Sequence, residues 1–127
     1  MNVGAGKVQW AGVRFYVLYP HDMRMFRQSG LYGFVRRDRD GSRTLLFIDQ
    51  ADHLANAAPA GSPLWNEAAA LGMNEVHLWL GAASRIDRLQ LKARIVRVVQ
   101  PGLNRTRPAE TAETVVADGR RTIPGVA

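Results

Sequence analysis

The apolar positions of this chain fall into short blocks separated by turn-forming residues. VRFYVLYP (13–20) is β-branched and aromatic and stops at Pro20, which predicts a strand or an extended lead-in. LYGFVRR (31–37) and RTLLFID (43–49) are two more strand-like runs. The DRDGS between them carries Asp40-Gly41, a strong turn signal, so the pair predicts an antiparallel hairpin. Gln50 to Ala58 is alanine-rich and predicts a helix ending before Pro59. Ser62-Pro63, a capping residue and a first-turn proline, opens another at LWNEAAALG, closing at Gly72. NEVHLWL (74–80) alternates Val76, Leu78 and Leu80 with Glu75, His77 and Trp79, the pattern of a half-buried strand.

Ser84 is placed to cap a helix that runs to about Val99 and is stopped by Pro101-Gly102. Leu89, Ile95, Val96 and Val99 share one face of it, which predicts that it lies on the sheet. After Asn104 there are few large apolar residues and no sustained period, so residues 105–127 are expected to form a flexible tail. The expected class is α+β: a small antiparallel three-stranded central sheet flanked by helices, with an extra N-terminal strand as an option. No internal repeat is present.

Composition narrows this picture. The chain has 127 residues, 46% of them hydrophobic, which suits one compact domain. Cysteine is absent, which excludes disulfides and thiolate metal sites and is compatible with a reducing cytosol. No apolar run approaches the roughly 20 residues that cross a bilayer, and MNVGAGKVQW lacks a signal peptide's apolar core. The expectation is a soluble cytoplasmic protein with no membrane partner. Formal net charge is +6, and of 17 basic residues only Lys7 and Lys92 are lysine, leaving 15 arginines. That balance favours phosphates or an acidic partner, although a GC-rich coding sequence also raises arginine.

Candidate chemistry is sparse. His21, His53 and His77 are dispersed, with no paired spacing for a zinc site, and are given no role. Gly4-Ala5-Gly6-Lys7 resembles part of a phosphate-binding loop, but the leading glycine, the Ser or Thr after the lysine and a preceding strand are missing, so it reads as an N-terminal tail. Asn104-Arg105-Thr106 is formally a glycosylation sequon, irrelevant without secretion. Trp65 and Trp79 are candidates either for the core or for an interface.

The order hairpin, helices, strand, long helix and Pro-x-x-Asn resembles the GIY-YIG nuclease superfamily. Gly30-Leu31-Tyr32 stands where that family has Gly-Ile-Tyr, Phe47-Ile48-Asp49 where it has Tyr-Ile-Gly, and Pro101-Gly102-Leu103-Asn104 resembles its closing motif. The resemblance covers residues 29–104, after an N-terminal extension of residues 1–28 that contains a strand. It implies a site shared by two tyrosines, a helix arginine, a metal-binding glutamate and a closing asparagine, working with magnesium or manganese. Carried over, those positions are Tyr32, Phe47, Ala57, Lys92 and Asn104. Phe47 has no hydroxyl, Ala57 no phosphate-binding fork, and Lys92 is an ammonium where a cation ligand is needed.

On a helical wheel Lys92 falls between Val96 and Val99, facing the sheet, so that either its stem snorkels along apolar surface or its amine pairs with a carboxylate, with Asp49 the candidate. A different register would promote Asp49, Asp52 or Glu67 to metal ligand and Arg43 or Arg85 to phosphate clamp. The resemblance therefore implies a nuclease-like domain that is catalytically inactive, with no cofactor, and that retains non-specific DNA or RNA binding. Arg36, Arg37, Arg39 and Arg43 on the hairpin, with Arg85, Arg88 and Lys92 on the last helix, are the candidates for phosphate contact. One alternative is a protein-interaction or structural module; a second is a residual metal-dependent endonuclease.

Overall fold

The computed structural model describes residues 7–106. Five strands form one antiparallel sheet: β1 (Lys7–Trp10), β2 (Val13–Leu18), β3 (Gly30–Arg37), β4 (Arg43–Ala51) and β5 (Glu75–Trp79), in the order β1-β2-β5-β3-β4. The class is α+β as expected, but the sheet has five strands rather than three. The difference lies at the N-terminus. Lys7–Trp10, of which only Lys7 was given a reading, as the end of a tail, pairs with β2 through a tight turn at Ala11-Gly12, both with positive φ (53° and 82°). The hairpin then joins the sheet by pairing β2 with β5, Tyr16 opposite Leu78. Only two apolar residues in KVQW marked the strand, too few for a period to register. Gly4–Gly6 and residues 107–127, including most of the expected tail, lie outside the described residues.

The hairpin β3–β4 forms where Asp40-Gly41 marked it. Gly41 has φ +90°, its N–H donates to the Asp38 carbonyl, and the Asp38 N–H donates to Ser42 across the turn. A bulge at Leu46 brings Phe34 opposite Phe47 and Val35 opposite Leu45, so Leu46 and Phe47 both reach one face. Gly30 opens β3 where the neighbouring strand is closest: a Cβ there would lie 2.3 Å from the Trp79 carbonyl oxygen.

The alanine-rich stretch after β4 is not the expected helix. β4 continues to Ala51, opposite Gly30, and only Leu54–Asn56 makes a single 3-10 turn. Pairing with β3 outweighs the local helix preference of the alanines. Helix α1 (Pro63–Ala70) starts at the expected cap, where the Trp65 N–H donates to the Ser62 hydroxyl, and Gly72 follows with φ +97°. Helix α2 (Arg85–Val99) is capped by Ser84 and ends in a left-handed Gln100; a short α3 (Gly102–Thr106) follows. Replacing Ser84 with alanine is expected to cost about 1 kcal/mol, read from chemical denaturation, because the Asp87 N–H loses its acceptor.

Helices and turns cover both sheet faces. One face packs Tyr32, Phe34, Phe47, Val76 and Leu78 against Met23, Leu54, Ala58, Ala68 of α1 and Leu103 of α3. The other packs Phe15, Leu31, Val35 and Ile48 against Ile95 of α2, with Trp10 and Trp79 at its margin. β5 is consequently not half-buried: Glu75, Val76, His77 and Leu78 are all buried. Its polar side chains find partners inside the fold instead of solvent.

Candidate functional site

Four of the five positions carried over from the resemblance converge on β4, and Asp49 joins them. Tyr32 lies directly opposite Asp49 in the β3–β4 ladder, and its ring centroid is 6.1 Å from that of Phe47. Both aromatic residues are buried, so Phe47 completes an aromatic cluster with Phe34 rather than supplying a polar group. Ala57 is half-buried against the same core, where its methyl adds only packing.

Lys92 reaches this group from α2. Its Nζ lies 3.2 Å from Asp49 Oδ1, the second of the two readings left by the wheel, with the lysine side chain only 6% exposed and the aspartate 24%. One turn earlier, Arg88 is also drawn inward. Its guanidinium donates to Gln50 Oε1 at 3.0 Å, to the Ala83 carbonyl at 2.8 Å and to Asp52 Oδ1. The acidic and amide side chains at the end of β4 thus receive two cations of α2, and together they fasten helix to strand.

Asn104 does more than cap its own turn. Its Oδ1 accepts the Ile48 N–H and its Nδ2 donates to the Ile48 carbonyl, both at 2.8 Å and both buried. β4 is the last strand of the sheet, so its outer backbone groups have no neighbouring strand. The carboxamide stands in for one residue of that strand, 56 positions away in sequence.

Burial and pairing set the electrostatics of this group. Burial, assisted by the Asp49 carboxylate, pushes the Tyr32 phenol well above its ordinary range, so it stays protonated and neutral. A divalent cation at Asp49 would meet the Lys92 ammonium, which already balances that carboxylate. Among the described residues, no three acidic, histidine or cysteine side chains gather into a cation-binding group.

The basic residues expected to contact phosphate divide into two sets. Arg43, Arg88 and Lys92 are engaged internally: Arg43 grips both oxygens of Glu75, at 2.7 and 3.2 Å. Arg37, Arg39 and Arg85 are exposed, and Arg36, at the rim, holds Asp38 and Thr44. The basic edge read along α2 is therefore only partly a surface, because its inner two charges turn toward β4.

A second polar cluster had no forecast. The Trp10 indole donates to His77 Nδ1 at 3.0 Å, His77 Nε2 lies 2.9 Å from Glu75 Oε1, and Glu75 holds Arg43. These side chains link β1, β5 and β4. Burial pulls His77 below its ordinary value, partly offset by the Glu75 carboxylate. Burial also pushes Glu75 upward, but hydrogen bonds from Arg43 and His77 outweigh it and hold the carboxyl below its usual range. The signal available in the sequence was Glu75 and His77 two apart, on one face of a strand with apolar neighbours.

No helix among the described residues is long and apolar enough to cross a membrane. Comparison with protein-family models, curated proteins and solved structures gives no match for this chain.

Proposed function

We propose that this chain is a catalytically silent, GIY-YIG nuclease-like domain that binds nucleic-acid phosphates through peripheral arginines. The observation that carries the reading is the Lys92–Asp49 pair beside a buried, neutral Tyr32. An internal ammonium occupies the place where hydrolysis of this type would need a cation held by carboxylates. The hydroxyl of a second tyrosine and the arginine fork are missing as well, at Phe47 and Ala57. What remains is a sheet domain carrying positive charge at two exposed places, the β3–β4 turn with Arg37 and Arg39 and the start of α2 with Arg85.

Such a surface binds without reading sequence. Three phosphate contacts correspond to a slope of about −3 in log affinity against log salt, and the Arg37→Ala, Arg39→Ala double variant removes about 2 of it. Fluorescence anisotropy with a labelled duplex and a single strand at low salt measures both. Incubation with magnesium or manganese is expected to leave plasmid and branched DNA uncut. Absence of binding at low salt rejects the nucleic-acid reading, and cleavage that is lost on Tyr32→Phe rejects the silent site.

A protein-binding module is the second reading. Tyr19 and Met25, 68% and 61% exposed, flank a turn beside a cleft of about 170 Å³ lined by Pro20, His21 and Trp65. That reading expects association in sedimentation velocity that Tyr19→Ser and Met25→Ser remove.

A further inference from the structure

His77 sits on β5 with no solvent exposure, and both of its ring nitrogens are occupied. An indole nitrogen only donates, so the bond from Trp10 requires a lone pair on Nδ1 and places the ring proton on Nε2, facing Glu75. The neutral ring is the form that satisfies both neighbours. A second proton on Nδ1 would set N–H against N–H at Trp10.

The groups around the ring do little to favour that second proton. Glu75, on the same strand, faces it but is already gripped by both arms of Arg43 from β4. From β2 and β3 the positions opposite His77 are Val17 and Gly33, which carry no charge. Helix α2 contributes Ile95 and Val96 to the packing on this side, while its Lys92 is held by Asp49 and its Arg94 donates to the Ala11 carbonyl. β1 contributes Trp10 itself.

β1 is also the shortest strand of the sheet. It has four residues, one neighbouring strand, and a side chain, Trp10, packed at the margin of the core. We propose that His77 is an acid-sensitive latch for the first strand: protonation of Nδ1 expels the Trp10 indole and frees β1 from the sheet edge, while β3, β4, β5 and α2 stay packed. The Ala11-Gly12 turn, tied to Arg94, is the hinge. Because the buried ring is depressed below its ordinary 6.5, the closed form is complete above that pH and is lost as pH falls through the lower value. Glu75, also depressed, stays ionised across this window.

Proton NMR of ¹⁵N-labelled protein from about pH 8 to about pH 5 tests the latch. The Trp10 indole resonance is expected to shift with one midpoint below 6.5, and β1 amide protection factors to fall by about tenfold per pH unit at most, as one proton dictates, while β3 and β4 keep theirs. In Trp10→Phe, which keeps an aromatic ring but no donor, the step in β1 should vanish without loss of the β3–β4 protection. Constant β1 protection across the range overturns the proposal. So does loss of protection in β1 and β3–β4 at the same pH, or a step that persists in Trp10→Phe.

Discussion

Replacing Asp49 with alanine is expected to destabilise the fold by about 3 kcal/mol, more than replacing its partner Lys92 with methionine. The asymmetry follows from exposure. Lys92 is 6% exposed, so without Asp49 its ammonium stays in a low-dielectric setting with its carboxylate gone. Asp49 is 24% exposed and accepts the Gln50 N–H, so without Lys92 it can recruit water, and methionine fills the space of the lysine stem. Lys92→Met should therefore cost about 1 kcal/mol or less, and Asp49→Asn with Lys92→Met should come close to the parent. Denaturant titration with unchanged slope measures all three. An Asp49→Ala variant within about 0.5 kcal/mol of the parent would mean that the pair is a surface contact, and a Lys92→Met variant worse than Asp49→Ala would overturn the asymmetry.

Asn104→Ala should cost about 2–4 kcal/mol, because two backbone groups of the fully buried Ile48 lose the Asn104 carboxamide, at about 1–3 kcal/mol for each buried group left unmet. Asn104→Asp separates hydrogen bonding from packing. It keeps an acceptor for the Ile48 N–H but sets a carboxylate oxygen against the Ile48 carbonyl, so at neutral pH it should be at least as damaging as alanine. Acid should restore it: that carbonyl holds the carboxyl above its ordinary range, the protonated hydroxyl can donate to it, and the deficit relative to the parent should narrow as pH falls toward about 4. Thermal or urea denaturation at both pH values reads the difference. A deficit independent of pH would assign Asn104 a packing role only.

Both predictions rest on residues that a nuclease resemblance singled out, yet each now acts in stability. The same holds for the basic side chains: Arg88→Ala should weaken the α2–β4 junction, whereas the exposed Arg39 can be replaced by alanine without loss of stability. A screen of nucleic-acid binding that used Arg88 or Lys92 variants would confuse unfolding with lost contact. Arg37, Arg39 and Arg85 avoid that confusion because their side chains are exposed.

Local signals carried much of the fold. Asp40-Gly41 placed the hairpin, Ser62-Pro63 and Ser84 placed two helix starts, and the wheel of α2 turned Lys92 toward the sheet, because caps, turns and a 3.6-residue period are decided by neighbours within a few positions. The same local logic failed after β4, where Gln50 and Ala51 pair with β3 instead of starting a helix. It failed also at Lys7–Trp10, whose strand exists because β2 offers a partner.

By itself, then, the chain's order of residues determined the class, the central hairpin, the two capped helices and the inward face of α2 that carries Lys92. Only the tertiary structure decided which charges face inward and which meet solvent. Arg43 finds Glu75 at a separation of 32 residues, Arg88 finds Asp52 at 36, and Trp10 finds His77 at 67. A charge or a ring nitrogen has no fixed role until the fold supplies or withholds a partner within hydrogen-bond reach, and no periodicity along the chain encodes that distance.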